Sequence, residues 1–394
     1  MGSFIENAMW TKILPYWFLI FTIGFGWFIL APLVPSLVST FSVPLSSVLF
    51  IISAYGYTMA ILGLLAGYVS AKFKVQTVLY LSAVLSFVGL LGRALLLNFQ
   101  EFLFSAVLAA ISYPLAVAPV GSIAESLFKE RSQTVVGITV GLLFLGMSFG
   151  SFLGPIIYSH VGLSGTLWIT TVLALFALIW VLIGTKGYPI HYTKSLKGSF
   201  NIGMVKNWYV GLAVASVSVL FGSVASTVLL LHGFPEGVAI SLGGLLGGLA
   251  FLGSALGAMI LPPLFEIYGK RRLGLITSGI LTALSAVIMV VSMVYITDQF
   301  LMFAGYFLFG FFGNAYWSMA LASTTYYVRD PAEAGLATSM YSVTANVGVA
   351  LIPVFLGSLF GSISTIEIGA VIVIMMEVIA GLMSFTLRTV KVNN

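Results

Sequence analysis

Few residues in this chain can do chemistry. Its 394 residues hold 16 Lys and Arg, 11 Asp and Glu, three His and no Cys. Most of the charges separate long apolar runs, so those inside a run stand out. Glu377 lies mid-run, ten residues after Glu367; Arg93 lies within a turn of one run's end and Glu125 near the end of another. An ionisable group at membrane depth is by default a functional candidate. Glu377 is therefore a candidate proton carrier; the alternative is a protonated side chain hydrogen-bonded to a neighbour. Without cysteine there is no disulfide, thiolate metal site or thiol nucleophile. A polytopic enzyme needs a cluster of His, Asp, Glu or Cys inside the membrane, and none is present. No catalytic residue, metal or cofactor is expected.

Polar and aromatic residues at helical spacing form a second set. Thr338, Ser342 and Asn346 fall at i, i+4 and i+8, with Tyr341 adjacent, and Asn314, Trp317 and Ser318 at i, i+3 and i+4. Ser216, Ser223 and Thr227 form another stripe, Ser53 and Tyr57 a shorter one, and Trp27 and Tyr113 stand in further runs. Such stripes either hydrogen-bond between helices, at about 0.6 kcal/mol each, or line a pocket that combines apolar walls with a few polar groups. Asn314 and Asn346 cost most to bury. With Trp27, Tyr57, Tyr113, Trp317, Tyr341 and Ser342 they are the expected substrate cavity.

The elements that must position these residues are membrane helices. Of the chain, 60% is hydrophobic and 7% charged, against about 25% charged in soluble domains. Mean hydropathy is +1.13. Uncharged runs long enough to cross a bilayer, about 20 residues each, predict twelve spans. Residues 13–71 hold two, split near Phe41-Ser42-Val43-Pro44, and 132–185 hold two, split near Val161-Gly162-Leu163-Ser164-Gly165. The first run begins after Lys12 and is too long for a signal peptide, so it is expected as a span. Continuous apolar runs argue against a β-barrel. With the N-terminus in the cytoplasm, 15 of the 16 basic residues fall on cytoplasmic segments and only Arg93 lies outward. That bias puts both termini in the cytoplasm, and the scattered basic residues suggest no nucleic-acid partner.

The two halves repeat. Arg131, Gly137 and Pro155 match Arg329, Gly335 and Pro353, each offset by 198. The expected organisation is a six-helix bundle over 1–184, a cytoplasmic linker over 185–206 and a second six-helix bundle over 207–394. Such repeats around a midplane cavity are common in secondary transporters.

These features resemble the major facilitator superfamily over nearly the whole chain. Glu266, Tyr268, Gly269, Lys270 and Arg271 look like the family's cytoplasmic motif between spans 8 and 9. The copy after span 2 is degenerate, with Ala71 where the family has Asp and Lys74 where it has Gly. Ile123-Ala124-Glu125 through Arg131 looks like the fourth-span exit. Gly146, Gly150 and Gly154-Pro155 resemble the glycine motif of the drug–proton antiporter branch, although Tyr158-Ser159 replaces its closing glycines and the branch's Arg-x-x-Gln-Gly motif is missing. The resemblance implies an all-α fold of twelve helices in two pseudo-symmetric bundles, with spans 5 and 8 facing each other across the halves; their glycine faces are expected to pack tightly and, in the functional reading, also to slide or rock. It also implies that Glu125, Arg131, Glu266, Arg271 and Arg329 gate the cytoplasmic side; otherwise they are solvated topology charges.

The expected function is secondary transport by alternating access. The cavity has almost no fixed charge, which favours a neutral, amphipathic or cationic organic solute, with protons as a second substrate through Glu377 or Glu125. Facilitated diffusion is the alternative, and a channel or lipid-moving protein the reading from another class. The expected setting is a prokaryotic plasma membrane, as a monomer in the lipid bilayer.

Overall fold

In the computed structural model the first long helix, α1 (Gly2–Phe28), ends where Ile29–Leu33 leave the α conformation around Pro32, and a short helix, α2 (Val34–Phe41), completes the first span. The structure describes all residues except 1, 73, 96–97, 121–122, 124–126, 128–131, 189–201, 328–330 and 391–394. The candidate gate residues Glu125, Arg131 and Arg329 lie outside the described residues. Ser42 stops α2 with φ 54. Pro44 then precedes α3 (Leu45–Lys72), at the break expected from Phe41-Ser42-Val43-Pro44. Next come α4 (Val75–Ala94) and α5 (Phe99–Val117), the latter capped by Asn98, whose side chain accepts from the Glu101 amide. A cap of this kind satisfies one of the free N–H groups of a first turn.

The next helix, α6 (Ser132–Gly184), is continuous by hydrogen bonding but doubles back at Gly162, which has φ 68 and ψ −175. Only glycine takes that backbone without strain. At 1.5 Å per residue, 53 residues would run about 80 Å, far beyond a bilayer of about 30 Å. It is therefore spans 5 and 6, split where the sequence places the break. The second half continues with α7 (Val205–Leu231), α8 (Glu236–Ile267), α9 (Arg271–Val291), α10 (Gln299–Thr324), α11 (Pro331–Gly357) and α12 (Ile366–Met383). Gly269, at φ 65, turns α8 into α9. Eleven helices among the described residues are long and apolar enough to cross a membrane, and one of them is the doubled α6, which makes twelve crossings. No strand occurs among the described residues.

Glycines set the helix spacing, with one departure from expectation. Gly146, Gly150 and Gly154 do not face α8. A Cβ on each would strike the carbonyl oxygens of Phe21, Phe25 and Ile29, so this face packs α6 on the first span within its own half. Gly348, offset by 198 from Gly150, does the same on the Leu212 carbonyl of α7. The repeat thus extends to packing. Gly253 and Gly257 press on the backbone of Phe307 and Phe311 in α10. The glycines that do meet α6 across the halves are Gly244, Gly247 and Gly248, against Ser151, Phe152 and Pro155. The Ser148 hydroxyl adds a hydrogen bond to the Gly248 carbonyl at 2.8 Å. The triad fails as a sliding face because three close backbone contacts have one shape-matched partner, and here it lies in the same half.

A second seam joins α3 to α11. Leu45 lies against Gly361, Leu49 against Gly357, Gly56 against Val349 and Ala350, and Gly63 against Val343. The pairs run antiparallel over about 27 Å, most of the membrane thickness.

Candidate functional site

Between the halves lies a cavity of about 380 Å³. Its walls come from α1, α3, α5 and the first arm of α6 on one side and from α7, α8, α10 and α11 on the other. Helices α4, α9, α12 and the second arm of α6 contribute nothing to it. It runs from an aromatic cluster near mid-span to Leu64, Val120, Thr139 and Leu321, toward the side that holds both chain ends, where Leu64 is 45% exposed. The far side is shut. Phe28 meets Phe251 edge-on at 4.3 Å, and the Ser36 hydroxyl donates to Glu236 at 3.3 Å.

The structure brings together six of the eight sequence candidates: Trp27, Tyr113, Asn314, Trp317, Ser342 and Asn346 all line this cavity. Trp27 stacks on Tyr55 with ring centroids 4.6 Å apart and 8° between planes, donates its indole N–H to the Ile52 carbonyl at 2.8 Å, and lies 5.4 Å from Tyr113. Tyr113 and Asn346 interact electrostatically across the cavity from opposite halves. Asn346 donates to the Ser342 carbonyl at 2.9 Å, and Asn314 to the Ser254 hydroxyl at 2.6 Å, which leaves the Asn314 amide oxygen for the cavity. The Trp317 indole N–H has no acceptor.

Tyr57 and Tyr341 are elsewhere. Met59 and Gly63 are the α3 residues in the wall, and Tyr57, two residues earlier, lies about 200° round the helix from Met59. Its ring packs on Phe50 instead, at 4.9 Å. Tyr341 turns into the C-terminal half, where its ring fills the space left by Gly211 and its hydroxyl donates to the Trp317 carbonyl at 2.9 Å. Ser216 and Ser223 donate to carbonyls of their own helix, and Ser218 takes the wall position on α7.

The sequence signal also missed wall residues. Tyr16 and Ile20 share the wall face of α1 with Trp27, and Tyr16 donates to the Ala116 carbonyl at 2.9 Å. Val140, Leu143, Phe144 and Met147 line the cavity from α6, but their apolar period is the one any packed helix shows.

Four ionisable residues that the sequence singles out lie outside the cavity. No Asp, Glu, Lys, Arg or His is among the lining residues. Arg93, expected near the outer surface, is 1% exposed, and Nη1 donates to the Gly26 carbonyl at 3.0 Å. Gly26 is in the last turn of α1, and a cation at a helix C-terminus is favoured. The guanidinium also interacts electrostatically with Tyr55 and lies 5.9 Å from the Phe102 ring, and Nε and Nη2 have no hydrogen-bond partners. It therefore stands directly behind the Trp27–Tyr55 stack. Glu377 is fully buried in α12, outside the cavity, and neither carboxyl oxygen has a hydrogen-bond partner. Glu266 and Arg271 form an ion pair at 2.5 Å, both about half exposed, and Arg271 also donates to the Tyr326 hydroxyl at 2.9 Å. All three belong to the C-terminal half.

A family model described as Major Facilitator Superfamily matches residues 16–238 and again 210–393, once for each half. Among solved structures, the nucleoside transporter NupG superposes with a TM-score of 0.76 at 12% identity, covering 96% of this chain and 100% of its own. The human organic anion transporter MFSD10 (TETRAN) gives 0.71 at 13% identity, covering 95% and 99%. An inward-facing, unoccupied bacterial homolog of the human lysosomal transporter Spinster gives 0.69 at 16%, covering 97% and 96%. No curated sequence relative matches. A two-bundle helical fold, a cavity walled by both halves and a family match over almost the whole chain agree: this protein is a member of the major facilitator superfamily of membrane transporters.

Proposed function

We propose that the chain carries a small, neutral, amphipathic organic solute across a membrane by alternating access. The observation that carries this reading is a cavity of about 380 Å³ with aromatic walls, two amides and no ionic side chain. Binding an inorganic anion or dicarboxylate needs a cation in the wall. A neutral solute needs apolar faces and a few fixed polar groups, and Trp27, Tyr113, Asn314 and Asn346 supply both. An organic cation is a second reading, favoured by the faces of Trp27 and Tyr113 and opposed by Arg93 behind them.

On this reading the chain alternates between the present state, open toward its termini, and one open to the far side. The α3–α11 and α6–α8 seams guide the motion. On the same reading the termini lie in the cytoplasm of a prokaryotic cell, an orientation that the Lys and Arg distribution favours. Glu266 and Arg271, with Glu125, Arg131 and Arg329, re-pair as the cytoplasmic side closes. Glu377 carries a coupling proton; facilitated diffusion is the alternative.

The test begins with a thermal-shift screen of neutral, cationic and anionic solutes, nucleosides among them, since a ligand raises the stability of the state it binds. The best ligand, labelled, is then followed in liposomes. Saturable exchange that the unlabelled ligand competes for supports the reading. Ohmic current, or flux that does not saturate, overturns it in favour of a channel.

A further inference from the structure

The interior of the C-terminal half contains an acid that the cavity does not use. Two tyrosine hydroxyls bracket Glu377. Tyr209 of α7 donates to the Met376 carbonyl at 3.1 Å, and Tyr316 of α10 donates to the Ala380 carbonyl at 2.7 Å. Both lie within electrostatic reach of the carboxyl. They are the titratable groups that α7 and α10 turn toward it. Helix α9, also packed on α12, brings only hydroxyls; its charges, Arg271 and Arg272, are in its first turn, at the membrane edge. The Thr282 and Ser285 hydroxyls donate to carbonyls of α9 itself.

The packing continues to the cavity. Tyr316 and Tyr341 are buried in one cluster with Ala380. Tyr341 donates to the Trp317 carbonyl at 2.9 Å and meets the Trp317 ring edge-on at 5.1 Å. Trp317 follows Tyr316 in the chain and lines the cavity.

This arrangement suits one charge state. A neutral carboxyl can remain without donors at moderate cost, and both tyrosines spend their O–H groups on backbone carbonyls. An ionised carboxylate in the same place would be an uncompensated buried charge. The same two hydroxyls, which already act on it electrostatically, are able to donate to it. Ionisation therefore draws them from the carbonyls to the carboxylate. The tyrosine protons stay in place, and the proton lost by Glu377 goes to bulk water.

We propose that Glu377 is a buried proton switch that sets the position of Tyr316 and, through Tyr341, that of Trp317 in the cavity wall. The cavity's hold on its solute then depends on pH although no acid lines it. This rests on the reading of Glu377 as proton carrier and adds the route by which the solute site senses it; Glu377 and Tyr316 act here as positioning residues.

The test uses the full chain, without solute, in lipid nanodiscs from about pH 5 to about pH 10. Trp317 emission is isolated as the difference between the parent and Trp317→Phe. Infrared difference spectra follow the protonated-carboxyl stretch in the same samples. The expected result is a one-proton titration of the Trp317 component that coincides with loss of the carboxyl band. Both disappear in Glu377→Gln, and Tyr316→Phe at least halves the Trp317 amplitude while the carboxyl band remains. Should Glu377→Gln not fold, Glu377→Asp takes its place and shifts the midpoint of both signals together. The proposal is overturned if the Trp317 component does not titrate, titrates unchanged in the Glu377 variant, or ignores Tyr316→Phe. None of these readouts involves flux, so their failure leaves the transport reading intact, and failure of liposome exchange leaves the switch intact.

Discussion

Replacing Arg93 by Met should loosen the protein's discrimination against cations without unfolding it. Arg93 is 1% exposed and its Nη1 caps the Gly26 carbonyl. Losing a hydrogen bond to a charged group costs about 1.5–3 kcal/mol. Replacing a buried charge by an apolar side chain of similar volume often returns about 1–4 kcal/mol. The two nearly cancel, so the melting temperature should move by only a few degrees. The cavity responds differently. The guanidinium lies behind one aromatic layer, roughly 10 Å from a solute; at an effective dielectric constant of about 20 its repulsion of a monovalent cation is about 1.7 kcal/mol. That corresponds to about 15-fold in affinity. The assay is competition between a cationic solute and its neutral isostere, in the parent, Arg93→Met and Arg93→Lys. The Met variant should raise the cation's affinity relative to the isostere by about tenfold, and the Lys variant should leave the ratio near the parent value. An unchanged ratio in the Met variant, or an equal change in both, refutes the electrostatic reasoning and reduces Arg93 to a helix cap.

Two further outcomes can be measured on the purified protein. Gly257→Ala places a methyl against the Phe311 backbone inside one half, whereas Gly247→Ala meets the movable Ser151 hydroxyl between the halves. The first should lose about 1–3 kcal/mol of stability, read as a lower melting temperature. The second should melt near the parent and shift the spin-label distance between α5 and α10. Equal melting losses would mean that the α6–α8 seam is ordinary core. Glu266→Ala breaks an exposed ion pair worth under about 1 kcal/mol, so melting should hardly change; if Glu266 re-pairs to hold the closed state, the population open toward the termini should still rise, and an unchanged distance distribution removes it from the gate.

The fold was legible where sequence punctuation has a single backbone meaning. Ser42 and Pro44 end one span and start the next because a left-handed residue followed by proline cannot continue a helix. Gly162 divides 53 hydrogen-bonded residues into two crossings because its φ of 68 reverses the chain. Spacing of small residues reveals a smooth face but not which helix lies on it. Gly146, Gly150 and Gly154 were as consistent with α8 as with α1, and the carbonyls of Phe21, Phe25 and Ile29 decide for α1.

The site was legible in part for a related reason. Helical periodicity ranks residues by the face they share, and Asn314–Trp317 and Ser342–Asn346 share the cavity face. It does not orient a stripe toward one neighbour over another, so it groups Tyr57 with the wall although Met59 and Gly63 hold that face of α3. Tyr341 was displaced by a partner distant in sequence, the bare surface of α7 at Gly211. Arg93 was hidden by the rule that orients the spans: near a span end, basic residues are counted as topology, and depth of burial does not enter the count. Only the break of α1 after Phe28, which puts the Gly26 carbonyl at a helix C-terminus, shows why a guanidinium is drawn inward. The two buried ionisable groups outside the cavity, Arg93 behind its closed end and Glu377 in α12 beside Tyr316, therefore mark where an uncharged wall can still be tuned from the second layer, by a fixed cation in one half and by a titratable acid in the other.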